Sequence, residues 1–182
     1  MNNMNSENIR PDLNFFKIRP SLKDDADKIK ALGNKIFGNG YLDGWFSQDS
    51  SSEDSICLVA TRHTSIIGMI YFNRIKDSPK DSRFFQSLMV DQQYRRKGIG
   101  TGLYTDALQI LAEANVRSLY ASCWKESPNS GIVQFLQKKG WEISSVKEKY
   151  WYTESLEAGY QCALCGNPCF CTAVLMSMAL NN

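Results

Sequence analysis

The stretch SLMVDQQYRRKGIGTGL, residues 87–103, decides how this chain folds. An apolar strand ends at Asp91, three cationic side chains follow at 95–97, and glycines then open a helix. The first turn of a helix has backbone N–H groups without an internal partner and carries the positive end of the helix dipole, so it attracts phosphate. Glycine also lets a phosphate approach the backbone closely. The stretch therefore predicts a phosphate-binding loop between a strand and a helix, with Arg95, Arg96 and Lys97 at its rim.

Two better-known phosphate loops do not fit these residues. A P-loop needs Gly-Lys-Ser/Thr after its spacer, and the chain has no such sequence. The dinucleotide fingerprint needs glycine where Leu103 stands and an acidic residue about twenty positions further on, where Ser122, Cys123 and Trp124 stand. A plain surface turn before a helix is the alternative, but the strand, the basic triplet and the helix together favour a binding loop.

Apolar patterning on both sides of the loop predicts one layered α+β (α/β) domain. The 182 residues are enough for a single domain over 15–182, preceded by a flexible polar segment over 1–14. The predicted strands cover 15–19, 56–61, 66–75, 83–90, 119–124, 141–152 and 172–180. Helical spacing follows Ser21, Gly98 and Pro128.

Composition excludes several classes of function. The net charge is only +2, which argues against binding nucleic acid or an anionic membrane through a strong overall field. The single histidine, His63, excludes sites that need two imidazoles and receives no role. The segment 1–14 lacks the features of a secretory signal, and the longest apolar stretch is too short to cross a membrane, so we expect a cytoplasmic protein without a membrane partner.

With these residues the chain resembles the GNAT superfamily of acyl-CoA-dependent N-acyltransferases. The family signature R/Q-x-x-G-x-G/A is matched by Arg95, Gly98 and Gly100, and residues 129–141 resemble its second motif, N-x-x-A-x-x-x-Y-x-x-x-G-F. The resemblance implies a mixed, mostly antiparallel, splayed sheet flanked by helices, with acetyl-CoA between the strands at 83–90 and 119–124. The implied acetyl-CoA contacts are Leu88, Met89, Val90, Arg95, Arg96, Lys97, Gly98, Ile99, Gly100, Thr101 and Asn129.

The resemblance implies an acetyl-CoA-dependent N-acetyltransferase. A primary amine of a small molecule or peptide would attack the thioester directly in a ternary complex, with the backbone N–H of Val90 as oxyanion donor. The protein would be a monomer or a homodimer. The tyrosine that commonly serves the family as general acid is replaced by Leu136, and Trp124 stands where one branch has a glutamate.

Three interpretations of these replacements stay open. The acid could come from Tyr150 or Tyr152 on the next predicted strand, although strand tyrosines more often serve packing. Proximity and water relays could suffice without a dedicated acid. The domain could instead be an acyl-CoA-binding or protein-interaction module that transfers nothing. Cys123 on a strand is better explained as a small core residue than as a nucleophile.

The long segment 38–54 is a candidate wall for the acceptor. Its aromatic residues are Tyr41, Trp45 and Phe46, and its clustered carboxylates are Asp43, Asp49, Glu53 and Asp54. Such carboxylates could favour a cationic amine, but a solvated acidic loop is the simpler explanation.

Four cysteines, Cys162, Cys165, Cys169 and Cys171, lie in a loop over 160–172 between the last two predicted strands. Cys-x-x-Cys-Gly is the turn chemistry of a metal knuckle, and four thiolates suit a structural zinc ion. An iron–sulfur cluster, a pair of disulfides and unligated thiols are the alternatives. In a splayed GNAT-like sheet this loop would border the acceptor side, so we expect a metal-stapled substrate lid.

Overall fold

The fold is given by a computed structural model that describes residues 15–40, 42–43, 46, 54–125, 131–159 and 161–180. Its strands are β1 (Lys17–Pro20), β2 (Ser55–Arg62), β3 (Ser65–Asn73), β4 (Ser82–Val90), β5 (Ser118–Trp124), β6 (Glu142–Lys147) and β7 (Ala173–Ala179). Its helices are α1 (Ala26–Phe37), α2 (Ile99–Glu113), α3 (Gly131–Gln137) and α4 (Tyr152–Ala158). The segment 1–14 lies outside the described residues.

The strands form one sheet in the order β1-β2-β3-β4-β5-β7-β6. All neighbours pair antiparallel except β4 and β5, which run parallel. The parallel pair needs a crossover, and α2 supplies it. The predicted α+β class with a mixed, mostly antiparallel sheet is confirmed.

Two hydrophobic clusters cover the two faces of the sheet. Along β2, Leu58 and Ala60 belong to the cluster under α2, while Cys57 and Val59 belong to the cluster under α1. This division follows from the alternation of side chains along a strand. Each face of the sheet is thus covered by one long helix, and we call the two faces the α2 face and the α1 face.

The prediction of one strand over 141–152 is wrong in its second half. Strand β6 ends at Lys147, the chain turns through Lys149 with a positive φ of 50°, and α4 begins at Tyr152. A left-handed residue cannot continue a strand, so the turn separates Tyr150 from β6. Tyr150 and Tyr152 therefore lie on a turn and at a helix start, not on a strand, and α4 was not predicted.

Candidate functional site

A β-bulge in β4 opens a cleft in the middle of the sheet. Opposite β3, Tyr71 pairs with Ser87 and Phe72 with Phe85, so Gln86 is an extra residue on β4. Bulges bend the strand that carries them. The pairing of β4 with β5 runs from Ser82 to Phe85 and stops there. Beyond that point the two strands diverge around a cleft of about 440 Å³.

The cleft passes through the sheet, because residues of both hydrophobic clusters line it. Phe85 and Phe135 belong to the α2 side, and Phe37 and Met89 to the α1 side. Arg95 and Arg96 line what we call the basic end. Phe37, Trp124 and Trp151 line what we call the aromatic end, where the rings of Phe37 and Trp124 lie 6.1 Å apart.

The main chain of β4 turns two amides towards the cleft. The N–H of Asp91 donates to the carbonyl of Ile67 at 2.9 Å, so it points towards β3. Because successive N–H groups of a strand point to opposite sides, those of Val90 and Leu88 point away from β3 and towards the divergent β5. Arg95 Nε donates to the Val90 carbonyl at 3.1 Å. The N–H of Val90, the oxyanion donor implied by the family resemblance, thus faces the cleft.

The predicted phosphate loop has the geometry that its sequence suggests. Helix α2 begins at Ile99, directly after Gly98, whose φ of 80° is left-handed and suits glycine. The helix is fifteen residues long, so its first turn, which includes Gly100 and Thr101, presents unpaired amides at the positive end of its dipole.

The three cations of the loop are not equivalent. Arg95 and Arg96 line the cleft. Lys97 instead places Nζ over the ring of Phe15, 4.7 Å from its centroid, and is not among the cleft-lining residues. We therefore assign the basic end to the two arginines.

Asp91 ties the start of the loop to α1. Its carboxylate accepts hydrogen bonds from Lys35 Nζ at 2.9 Å and from the Gln93 amide at 3.2 Å. Burial alone would raise the pKa of Asp91, but the hydrogen bonds from Lys35 and Gln93 outweigh it and hold that pKa below its usual range. The carboxylate therefore stays charged and fixes the turn before the basic residues.

The described part of the second motif reaches the cleft through three residues of α3. Gly131, Ile132 and Phe135 of α3 line the cleft, whereas Leu136 is fully buried in the α2-side core. The position of the family tyrosine is therefore a packing position here. Asn129 lies outside the described residues.

Tyr150 and Tyr152 have different surroundings. Ser122, which lines the cleft, donates a hydrogen bond through Oγ to the hydroxyl of Tyr150 at 3.1 Å. Tyr152 packs its ring on Phe170 of the cysteine loop, with centroids 5.5 Å apart. Only Tyr150 of these two candidates is therefore linked to a cleft-lining hydroxyl by a described hydrogen bond.

Two further residues of the cleft wall have contrasting chemistry. Cys123 is buried, and its burial raises the pKa of the thiol to about 12, which makes it an inert core residue. The hydroxyl of Ser87 is buried and has no hydrogen-bond partner within the described residues. An unpaired buried hydroxyl that lines a cleft is available to a ligand.

The described part of segment 38–54 does not form the predicted wall. Phe46 is buried in the α1-side core and packs on Tyr71, so its assignment to the acceptor wall is wrong. Asp43 pairs with Lys30 at 3.0 Å, and Asp54 pairs with Arg74 at 2.7 Å, so both carboxylates already have cationic partners. Tyr41, Trp45, Asp49 and Glu53 lie outside the described residues.

The four cysteines converge on one point. Their Sγ atoms all lie within 4.8 Å of one another. The Cys162–Cys171 and Cys165–Cys171 sulfur distances are 3.6 Å, and the Cys165–Cys169 distance is 3.8 Å. Four sulfurs at about 2.3 Å from a tetrahedral zinc ion would lie roughly 3.8 Å apart, so the cluster fits a single ion. These separations are far longer than a disulfide bond of about 2 Å.

The backbone of the loop supports thiolate ligands. Cys162 and Gly166 exchange two backbone hydrogen bonds, which close the Cys-x-x-Cys turn, and Gly166 has a φ of 77°. The amide of Phe170 donates to Cys165 Sγ at 3.2 Å. Desolvation acts to raise the pKa of Cys165, but this amide and the neighbouring thiols lower it overall, whereas burial raises the pKa of Cys169 to about 11. A cation among the sulfurs would favour the thiolate of every member.

Sequence reasoning missed the residues that surround the aromatic end. In the sequence, Trp124 stands where one branch of the family has a glutamate, and Ser122 stands near the acidic position of the dinucleotide fingerprint. Trp151 falls within the strand predicted over 141–152. The alternation along β5 was the available signal, because it puts Ser122 and Trp124 on the same face. Their partners, Tyr150 and the cysteine loop, follow much later in the chain, and local patterns do not reveal such pairs.

Comparison with known proteins agrees with this architecture. The sequence profile of the acetyltransferase (GNAT) family matches residues 26–141. No curated protein sequence matches the chain.

Several solved structures share the fold at low sequence identity. A GNAT-family acetyltransferase from Streptococcus pneumoniae is 19% identical, with a TM-score of 0.68, over 91% of this chain and 99% of that one. The ribosomal-protein-S18-alanine N-acetyltransferase from Escherichia coli is 13% identical, with a TM-score of 0.67, over 92% and 95%. The PaiA N-acetyltransferase from Thermoplasma acidophilum, in complex with coenzyme A, is 16% identical, with a TM-score of 0.60, over 91% and 99%.

None of the helices in the described part of the chain has both the length and the apolar composition that crossing a membrane requires.

Proposed function

The chain belongs to the acetyltransferase (GNAT) family, and from this premise we propose that it transfers an acetyl group from acetyl-CoA to a primary amine in a ternary complex. The observation that carries the proposal is the cleft between the divergent halves of β4 and β5, with the Val90 N–H turned into it. The acceptor would be a small molecule or a peptide, and the protein a cytoplasmic monomer or homodimer.

Acetyl-CoA would enter from the basic end. The amides from Arg96 to Thr101 would hold the pyrophosphate, and Arg95 and Arg96 would add charge from the cleft wall. Asn129 would be a further contact. The pantetheine arm would lie along Leu88, Met89 and Val90, where β5 no longer pairs with β4. This arrangement would put the thioester near the point where the cleft crosses from the α2 face to the α1 face.

The amine would approach from the aromatic end. As its free base, it attacks the thioester carbon, and the Val90 N–H stabilises the oxyanion that forms. When the carbon–sulfur bond breaks, the amine proton passes to water in the cleft, and the CoA thiolate takes up a proton.

The pair of Ser122 and Tyr150 is the best-supported proton donor among the described residues. Hydroxyls rotate, so Ser122 can donate towards the thiolate while it accepts the proton of Tyr150. Tyr150 is 40% exposed, so solvent can restore its proton. Tyr152, which packs on Phe170, lacks such a link and is the weaker of the two candidates.

The test is CoA release from acetyl-CoA across a panel of primary amines and peptides. We expect at least one acceptor to be turned over, and Gly98→Val to abolish the reaction, because a β-branched residue is strained at a φ of 80°. Gly140→Val, which introduces the same kind of strain at a φ of 90° outside the loop, is the control. Acetyl-CoA binding without turnover on any acceptor would refute the transferase proposal.

That outcome would favour the second candidate, an acyl-CoA-binding or protein-interaction module that uses the cysteine knuckle. One observation supports it: Leu136, at the usual acid position, is fully buried in the core. A module of this kind would bind acetyl-CoA and a partner protein with no need for Tyr150.

We further propose that the cysteine cluster holds one structural zinc ion. Three of the six sulfur separations are 3.6–3.8 Å and none exceeds 4.8 Å, which fits a mononuclear tetrahedral site better than an iron–sulfur cluster, whose ligands are spread around several metal atoms. With all four positions taken by thiolates, the ion would have no open site for catalysis. Mononuclear iron is the remaining alternative.

Metal analysis of the purified protein tests this proposal. We expect about one equivalent of zinc per chain, lost in Cys165→Ser and kept in Cys57→Ala, whose thiol lies in the α1-side core. A content below about a tenth of an equivalent of zinc and iron together, after growth with added metal, would rule the site out.

A further inference from the structure

The loop that carries the four cysteines contacts the elements that line the aromatic end of the cleft. We infer that the metal-loaded loop fixes this end, so that metal loading governs how the amine binds and leaves acetyl-CoA binding unchanged. The expected change in amine binding rests on the proposed function, whereas the expected change in backbone hydrogen exchange rests only on the described contacts.

The first contact joins the loop to the C-terminal end of α1. The amide of Ala163, next to the ligand Cys162, donates to the carbonyl of Phe37 at 3.1 Å. The amide of Gln161 donates to the carbonyl of Asn39 at 3.4 Å. Between them, Gly38 has a φ of 104°, and a Cβ at this position would clash with the Gln161 carbonyl. The carbonyl groups that α1 leaves unpaired at its end are thus partly satisfied by the cysteine loop.

The second contact joins the loop to β5. Trp124 pairs with Ala173, which follows the loop directly, in the β5–β7 ladder. Beside it, the amide of Lys125 donates to the carbonyl of Thr172 at 3.0 Å. The strand that carries a tryptophan of the cleft wall is therefore tied by its backbone to the residues that directly follow Cys171.

The third contact joins the loop to the turn that carries the proposed proton donor. The amide of Tyr150 donates to the carbonyl of Cys171 at 3.1 Å. On α4, the fully buried Ser155 accepts a hydrogen bond from the Cys169 amide at 2.7 Å. Trp151 and Ser155 lie one turn apart on this segment, joined by a backbone hydrogen bond of 2.9 Å.

The basic end has no comparable link. Within the described residues, no hydrogen bond, ion pair or ring contact joins residues 161–172 to the loop at 95–101. Since so short a loop has little apolar core of its own, the metal ion is what would hold its shape. Removing the ion should therefore loosen Phe37, Trp124 and Tyr150 together and leave Arg95 and Gly98 in place.

The experiment compares the metal-loaded protein with Cys165→Ser, which removes a ligand that is exposed and makes no described contact with the cleft wall. Leu164→Ala is the matched control, because Leu164 is 59% exposed in the same loop and is not a ligand. We expect faster hydrogen exchange at the amides of Ala163, Tyr150 and Lys125 by roughly tenfold in Cys165→Ser alone. The amine KM should rise by at least about tenfold. The acetyl-CoA Kd should change by less than about twofold.

A second variant separates the contact from the metal. Gly38→Ala keeps all four cysteines but drives the Gln161 carbonyl away from α1. We expect its metal content to be normal and its amine KM to rise. Unchanged exchange at Ala163 and Tyr150 in metal-free Cys165→Ser, or equal weakening of acetyl-CoA and amine binding, would overturn the inference. If no amine is acetylated at all, the proposed function fails, while hydrogen exchange and acetyl-CoA binding still decide the inference.

Discussion

The two ends of the cleft are built in opposite ways. The basic end comes from one continuous stretch, in which the end of β4, a short turn and the first turn of α2 follow each other within residues 88–101. The aromatic end comes from α1, β5, the turn before α4 and the cysteine loop, which are far apart in the chain. The first end relies on backbone amides, and the second on side chains whose own backbone segments are hydrogen-bonded to a loop.

This difference shows which part of such a site tolerates sequence change. A phosphate held by amides depends on backbone shape, so the glycines and the helix start must stay. Under the proposed function, an amine site made of side chains can be rebuilt through a different loop without any change to the half that would bind acetyl-CoA. Four substitutions test this division between the two ends.

Val90→Pro should cause the largest loss. The N–H of Val90 points to the cleft and not to β3. Proline at this position therefore removes the proposed oxyanion donor but leaves the hydrogen bonds between β3 and β4 in place. We expect kcat to fall by about 10²- to 10³-fold. Met89→Pro, whose N–H points to β3, should instead lower the free energy of unfolding and prevent folding. A Val90→Pro enzyme with normal kcat would show that the thioester oxygen lies elsewhere.

Tyr150→Phe should have the next largest effect, and it tests the aromatic end. The ring keeps its contact with Trp151, at 5.0 Å between centroids, but Ser122 loses its hydroxyl partner. We expect kcat to fall by roughly a hundredfold, with amine KM little changed. Tyr152→Phe is the control and should keep normal kcat. Equal activity of the two variants would leave water as the proton source.

Arg95→Gln tests the basic end with a smaller effect. Arg95 lines the cleft, whereas Lys97 lies over Phe15, so the two cations should contribute differently. We expect the acetyl-CoA Kd to rise by about five- to tenfold in Arg95→Gln. Lys97→Gln should raise it by less than about twofold. Equal losses measured by calorimetry would mean that only the summed charge of the loop matters.

Ser87→Ala should have the smallest effect on substrate binding. The sign of its effect on the free energy of unfolding distinguishes a binding residue from a structural one. The Ser87 hydroxyl is buried without a partner among the described residues, whereas Ser82 on the same strand donates to the Pro79 carbonyl at 2.8 Å. We expect Ser82→Ala to lower the free energy of unfolding by about 1 kcal/mol. Ser87→Ala should keep or raise this free energy and weaken substrate binding about two- to threefold. Chemical denaturation and steady-state kinetics measure both.

The basic end could be predicted from the sequence because its physics is local. The glycine at 98 and the apolar spacing after it give the start of α2 at Ile99, as the structure has it. The hairpin of β2 and β3 and the strand β4 were also predicted, because β-branched runs and turn residues specify them directly. The residue type at Gln86 does not indicate the bulge. The bulge arises from the pairing of β4 with β3 and is visible only in the register of these two strands.

The aromatic end could not be predicted, because it depends on pairs that are distant in sequence. Ser122 and Tyr150 are 28 positions apart. The left-handed backbone conformation of Lys149 turns the chain after β6 and so sets the position of Tyr150. The cysteines were recognised as one cluster because they are adjacent in sequence. Their link to Phe37 requires the whole fold, since 126 positions separate Phe37 from Ala163.

The sheet order has a consequence for how the protein is made. Strand β7 lies between β5 and β6, so the outer edge of β5 is closed only by residues 173–179. A chain emerging from the ribosome folds from its N-terminal side first. Strand β4, the phosphate loop and α2 are all present once residue 113 has emerged. The wall that we propose for the amine must wait for the cysteine loop, so synthesis forms the basic end of the cleft first and the aromatic end last.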